Sequence, residues 1–136
     1  MTPLILAASA GREKVVNTLL TEGANVNAKT QEGHSALQYA ASKNWKSICA
    51  ALLEKDANVN VTDNRGATPL HRAASKGNIA IVKLLIEYGR NLDIGRYLNL
   101  NRSLIYNYSM QFSNKLQIML PKSKNQYFNL LTITLV

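Results

Sequence analysis

The sequence has one cysteine, Cys49, in 136 residues. A lone thiol excludes an internal disulfide framework and a cysteine-built zinc cage, and it fits a reducing compartment, so cytosol or nucleus is expected. Histidine is nearly as scarce, with only His34 and His71. No paired metal-ligating histidines, glycine-rich phosphate loop or nucleophile elbow appears, so the sequence predicts a non-enzyme with no cofactor and no metal. Long apolar runs are missing too. The longest, Tyr127 to Val136, is half of the roughly 20 residues that span a bilayer, and Asn129 and two threonines interrupt it, so no membrane partner is expected. No basic-then-apolar leader opens the sequence, which argues against export, and the Asn-x-Ser/Thr triplets at Asn60, Asn101 and Asn107 then read as chance. Acid is absent from residues 95–136, which hold five basic residues, whereas residues 1–94 hold eleven basic residues against eight acids. The formal charge of +8 is therefore concentrated in the tail.

What is present is a period. Thr2, Ser35 and Thr68 lie 33 residues apart, as do Leu4, Leu37 and Leu70. Ala7-Ala8, Ala40-Ala41 and Ala73-Ala74 keep the step, and so do Leu19-Leu20, Leu52-Leu53 and Leu85-Ile86, and Asn25, Asn58 and Asn91. A period of this length means stacked supersecondary units. Three copies follow, at 2–34, 35–67 and an incomplete 68–94.

Each copy reads as helix, turn, helix and extended loop. In the third, Thr68 is a good N-cap, and Pro69 sits where a missing N–H costs nothing. The helix is expected to run to about Ser75, with Ala73 and Ala74 allowing close neighbours and Gly77 ending it. Ile81, Val82, Leu85 and Ile86 form the apolar face of a second helix, which Gly89 is expected to close. Asn44 and Asp56 replace helix-ending glycines, and both residue types tolerate left-handed backbone. The stretch from Asn58 to Gly66 is polar and turn-rich, the composition of a projecting β-hairpin loop.

The run Thr68-Pro69-Leu70-His71-Arg72-Ala73 resembles the ankyrin-repeat signature; the second copy departs from it at Ser35-Ala36-Leu37-Gln38 and the first at Thr2-Pro3-Leu4-Ile5. The implied fold is an all-α ankyrin solenoid of about three helix-turn-helix repeats with β-hairpin loops, followed by a poorly ordered C-terminal tail. Three runs narrow the likeness: Ala7-Ala8-Ser9-Ala10-Gly11-Arg12-Glu13, Tyr39-Ala40-Ala41-Ser42-Lys43-Asn44 and His71-Arg72-Ala73-Ala74-Ser75-Lys76-Gly77-Asn78. They are similar to consecutive middle repeats of gankyrin-type proteins, assembly chaperones of the proteasome regulatory particle, over residues 2–94. That resemblance implies a protein-binding module, expected as a monomer, whose concave face grips the C-terminal domain of a proteasomal ATPase subunit. The positions carried over are Arg12, Tyr39, Ser42, Lys43, Arg72, Ser75 and Lys76. The Leu-x-Cys-x-Glu motif of the family is absent, and its retinoblastoma-type partner is not carried over. An unrelated ankyrin adaptor and a basic-tailed nucleic-acid or membrane-surface binder are the alternatives.

The bland readings stand beside these. Charged residues on exposed helices are usually only solvated, which applies to Lys43, Arg72 and Lys76. His71 is expected to hydrogen-bond Thr68 or a neighbouring loop, and Cys49, in step with Val16 and Val82, to be a small buried apolar residue. Trp45 is expected to pack, partly exposed, in a turn. His34 sits at a loop tip, where contact and plain exposure are equally open. Beyond residue 94 the period fails. Tyr106, Tyr108, Met110 and Phe112 alternate weakly, so a hairpin, disorder, an aggregation-prone segment and read-through of non-coding sequence all remain open there. With Leu4, Ile5 and Leu6 close to the start and no polar cap repeat, marginal stability is expected.

Overall fold

The computed structural model describes residues 1–90, and the expectations for residues 91–136 lie outside it. Six helices follow one another: α1 (Pro3–Ser9), α2 (Glu13–Thr21), α3 (Ala36–Ser42), α4 (Lys46–Glu54), α5 (Pro69–Ser75) and α6 (Ile79–Arg90). They form three antiparallel pairs. The first helices stack as α1, α3, α5 and the second helices as α2, α4, α6, giving two layers of a solenoid.

Each first helix starts on its hydroxyl cap. The Thr2 side chain accepts from the Ile5 N–H at 3.2 Å, Ser35 from Gln38 at 3.3 Å and Thr68 from His71 at 3.3 Å. In the second and third pairs the contact is reciprocal: the Ser35 N–H donates to Gln38 Oε1 at 2.9 Å, and the Thr68 N–H to His71 Nδ1 at 3.1 Å. These are capping boxes, which satisfy two helix-start amides at once. His71 is thus a structural residue bonded to Thr68, as its position predicts. The turns behind these helices sit in left-handed backbone at Gly11, Asn44 and Gly77, one repeat apart, with φ of 73°, 65° and 70°.

The ends of the second helices break the period. Gly23 and Asp56 are left-handed, at φ 85° and 63°, but Gly89, expected to close α6, lies inside it. The residue after the turn explains the difference. Ala24 and Ala57 fold back, their N–H groups reaching Leu19 and Leu52 carbonyls at 3.0 Å, and Ala57 is buried. Position 90 holds no alanine to take that place, and glycine permits a left-handed turn without imposing it.

The core lies between the two layers. Leu4, Ile5, Val16, Leu37, Ile48, Leu52, Ile81 and Leu85 are almost fully buried, and Cys49 is sealed among them. Burial pushes the Cys49 thiol up to about 12, which leaves it protonated and inert. Leu4 and Ile5 are covered despite their place near the start, while Leu6 is 58% exposed. Trp45 is partly exposed and packs on Gly11, with its indole N–H 3.4 Å from the Ser9 carbonyl.

The loops close on themselves as short hairpins: Lys29 and Ser35 form an antiparallel bridge, the Thr30 N–H donates to the His34 carbonyl at 2.9 Å, and one repeat on the Asp63 N–H donates to the Ala67 carbonyl at 3.0 Å. Among the described residues they are too short to count as strands. The loops also bond to each other. Asn58 N–H donates to Asn27 Oδ1 at 2.8 Å, Lys29 Nζ to the Thr62 carbonyl at 3.0 Å, and Asn64 N–H to the Glu32 carbonyl at 3.1 Å. Val59 and Val61 also turn inward and are buried, so the second loop is anchored in the core at its base.

That close approach generates a test. A Cβ on Gly33, at φ 85°, would lie 2.9 Å from the Asn64 backbone nitrogen, whereas one on Gly66, at φ 80°, meets nothing within 4 Å. Both alanine variants suffer the left-handed penalty, but only Gly33→Ala also pushes the loops apart. Urea unfolding is expected to show Gly33→Ala less stable than Gly66→Ala by about 1–2 kcal/mol. Equal losses would contradict the loop contact.

Candidate protein-binding surface

Five side chains converge on the inner face, where the first-helix layer meets the loops. His34 comes from the first loop, Gln38, Tyr39 and Ser42 from α3, and Arg72 from α5; they line an open cleft of about 130 Å³. Ligand pockets usually enclose about 300–1,000 Å³, so this cleft has room for one side chain of a partner.

Its floor is built on a buried carboxylate. Asp63, whose side chain is 1% exposed, accepts from the Arg65 and Ala67 backbone N–H groups through Oδ1, at 2.9 and 3.0 Å. Its Oδ2 accepts from the Arg72 guanidinium. His34 Nε2 lies 3.4 Å from the same oxygen and 3.3 Å from the guanidinium, and its ring meets Tyr39 edge to face with centroids 5.4 Å apart. The first loop, the second loop and α5 are thereby joined at one point. Burial alone would raise the Asp63 pKa, but the hydrogen bonds from Arg72, Ala67 and Arg65 outweigh it, and the carboxyl titrates below its ordinary range.

The structure brings together three of the seven carried-over residues, Tyr39, Ser42 and Arg72. Lys43 and Lys76 are exposed at the C-caps of α3 and α5, one repeat apart. Ser75 is exposed and its hydroxyl donates to the Arg72 carbonyl at 3.0 Å. Arg12 stands apart, exposed at the N-cap of α2 and outside the cleft. Arg72 is not a free surface cation, because Asp63 neutralises it. His34 is not plainly exposed: it is half-buried against Asp63, Arg72 and Tyr39 of its own chain.

Three residues of this site escape a sequence reading. Asp63 is the clearest, and its signal is the Asp63-x-x-Gly66 turn, where a carboxylate caps its own loop. Its place one repeat after Thr30 repeats that role, since the Thr30 hydroxyl accepts from the His34 N–H at 3.2 Å. Gln38 reads as a mismatch to a histidine signature, yet its Nε2 donates to the Ala67 carbonyl at 2.8 Å and ties the start of its own repeat to that repeat's closing loop. The His34 cluster has no local signal, because Asp63 and Arg72 lie 29 and 38 residues from His34 along the chain.

Comparison with known proteins supports this architecture. The family described as ankyrin repeats (3 copies) matches residues 4–96. M-phase phosphoprotein 8 from Rattus norvegicus, Mus musculus and Homo sapiens is 42% identical over 45 residues. The match covers 33% of this chain and only 5% of those relatives' length. It does not support the narrower likeness to gankyrin-type proteins.

The titrating groups set a pH dependence with a definite sign. Burial holds the His71 pKa below its usual value, with Arg72 adding to it and Asp63 opposing. The unfolded chain therefore takes up that proton first, and the stability from neutral His71 is full above pH of about 6.5 and declines on acidification. The contribution of Asp63 is full above pH of about 4 and is lost as the pH falls through its lowered folded value. Urea midpoints between pH 3 and pH 8, taken here as a range of about 5 units, are expected to fall in two stages. His71→Gln, copying Gln38, should remove the first stage. Asp63→Asn should remove the second at a cost of about 1–3 kcal/mol near neutrality. A flat profile for the parent chain would refute both assignments.

Proposed function

Because the chain belongs to the ankyrin-repeat family, we propose that it is a protein-binding module that seats a partner's side chain in the inner-face cleft. The observation carrying this reading is the convergence of His34, Tyr39, Ser42 and Arg72 from two repeats and a loop on a cleft sized for a side chain. Tyr39 contributes an aromatic wall with a polar tip, a residue type enriched where proteins meet. Ser42 and the Arg72 guanidinium supply hydrogen-bonding groups around it. Lys43 and Lys76 flank the helix ends as exposed cations, suited to steering an acidic partner and fixing its register more than to adding affinity. Ankyrin repeats serve as interaction scaffolds, and nothing in the family match points to catalysis.

The partner to test first is the C-terminal domain of a proteasomal ATPase subunit, which the resemblance of residues 2–94 implies. A chain with that partner works in the cytosol or nucleus. Its support is the sequence likeness alone.

The proposal separates surface from partner in one titration. Binding of the ATPase domain, followed by calorimetry, is expected to weaken about tenfold or more in Tyr39→Ala. Lys43→Glu together with Lys76→Glu should slow association and reduce the salt dependence, while Lys46→Glu on α4 changes little. No binding by the parent chain removes the ATPase partner. Binding that ignores Tyr39→Ala but responds to α4 would remove the inner-face site.

A further inference from the structure

The period that builds the inner-face cleft also places a second seat beside it. Tyr39, Ser42 and Arg72 line the cleft between α3 and α5, and 33 residues earlier the same positions hold Leu6, Ser9 and Tyr39, between α1 and α3. Tyr39 therefore belongs to both seats, and their chemistry differs. Where the cleft has a guanidinium the second seat has the tyrosine ring, and where the cleft has that ring it has leucine. Leu6 is 58% exposed although Leu4 and Ile5 beside it are buried. Its openness belongs to the inner face and not to the start of the chain: Tyr39, in step with it, has a helix pair on each side and is still only half-buried. Charge is also divided between the layers. The first helices and their C-caps carry Arg72, Lys43 and Lys76 and no acid, whereas Glu13, Glu54 and Glu87 lie on the second helices.

Resting on the inner-face site proposed above, we infer that its partner is an extended acidic segment, with an apolar side chain on Leu6 and Tyr39 three residues from the side chain it seats in the cleft. Packed helix axes lie about 8–10 Å apart, so the two seats are separated by about that distance. In an extended chain of polyproline type, residues three apart lie on one side at about 9 Å. A β-strand returns to the same side at about 7 Å or about 13 Å, which misses the second seat. A partner helix would fit at seven residues, about 10.5 Å, but two seats are too few contacts to order a helix, which is marginal alone below about 12–15 residues. The carboxylates of the segment meet Lys43 and Lys76 at the ends of α3 and α5. In the cleft an amide side chain suffices, because Arg72 already faces Asp63 and needs only an acceptor.

Fluorescence anisotropy of labelled synthetic peptides with the full chain tests this. The probes are acidic peptides of about ten residues holding one Leu and one Gln, in either order, at spacings of two, three and seven residues. The three-residue spacing is expected to bind about tenfold tighter than the others. Leu6→Ser should weaken that peptide about tenfold yet leave unchanged the peptide whose Leu is replaced by Ser, since what is lost is the contact between the two leucines. Val15→Ser, a comparably exposed change on α2, should alter neither, and thermal midpoints check that both variants fold. Tighter binding at seven residues overturns the inference, as does weakening by Leu6→Ser that ignores the peptide's Leu. Binding that requires Tyr39 but is indifferent to Leu6 and to spacing overturns it and leaves the proposed function standing. Absence of binding by every peptide up to about 1 mM also overturns it, while the ATPase-domain titration decides the inner-face site separately.

Discussion

A helix of seven or nine residues cannot stand alone in water, and a pair of such helices cannot hide its own apolar stripe. Burial against the neighbouring pair is therefore the constraint on which everything else in this structure depends. Its force is visible at equivalent positions. Ile48 and Ile81 are sealed by the pair before them, while Val15, of the same character, has no described pair on that side and is half-exposed. Local signals fix where helices begin and end, but whether their apolar faces leave water is decided between repeats. Stability is then approximately a sum over neighbouring contacts, as in other solenoids.

Polar groups serve the same constraint. Gln38 caps α3 with one end of its amide and bonds the second loop with the other, so a helix start and the closure of its repeat share one side chain. Asn78 joins two repeats at a turn, reaching the carbonyls of Ala41 and Ser42. Asp63 gathers two backbone amides, Arg72 and His34 around a carboxylate that would otherwise be costly to bury. Each of these residues satisfies buried backbone that stacking would leave unpaired, which is why polar side chains occur in so thin a core.

Much of this was legible in the sequence, and what was not has a physical reason. The period gave the six helices because caps, small residues and apolar positions recur at a fixed step, and each is a local signal. Asn44 and Asp56 were readable as left-handed because their side chains make that conformation tolerable, and both adopt it. Gly89 was misread, since a glycine only allows a turn and the alanine that tucks under the earlier turns is missing after it. The short hairpins were readable from turn-rich composition, but their bonds to the loop one repeat away were not, because composition does not say which neighbour a loop meets. At the cleft, Tyr39, Ser42 and Arg72 could be picked out, but the partnership of Arg72 with Asp63 depends on how α5 docks against the loop before it.

That partnership changes what the inner face can recognise. A free arginine there would attract carboxylates by charge, yet Arg72 already faces a buried anion, so the Asp63–Arg72 pair carries no net charge. Its guanidinium is held in place, which lowers the entropy lost when a partner forms a hydrogen bond with it. Under the proposed function, long-range attraction falls instead to Lys43 and Lys76, which are exposed and screened by salt. The two tasks then divide: the lysines, one repeat apart, would bring an acidic surface into register, and the cleft would test the shape and hydrogen-bonding of the side chain that arrives. On that proposal selectivity rests on the cleft, where a wrong side chain leaves held donors unpaired, and only secondarily on surface charge.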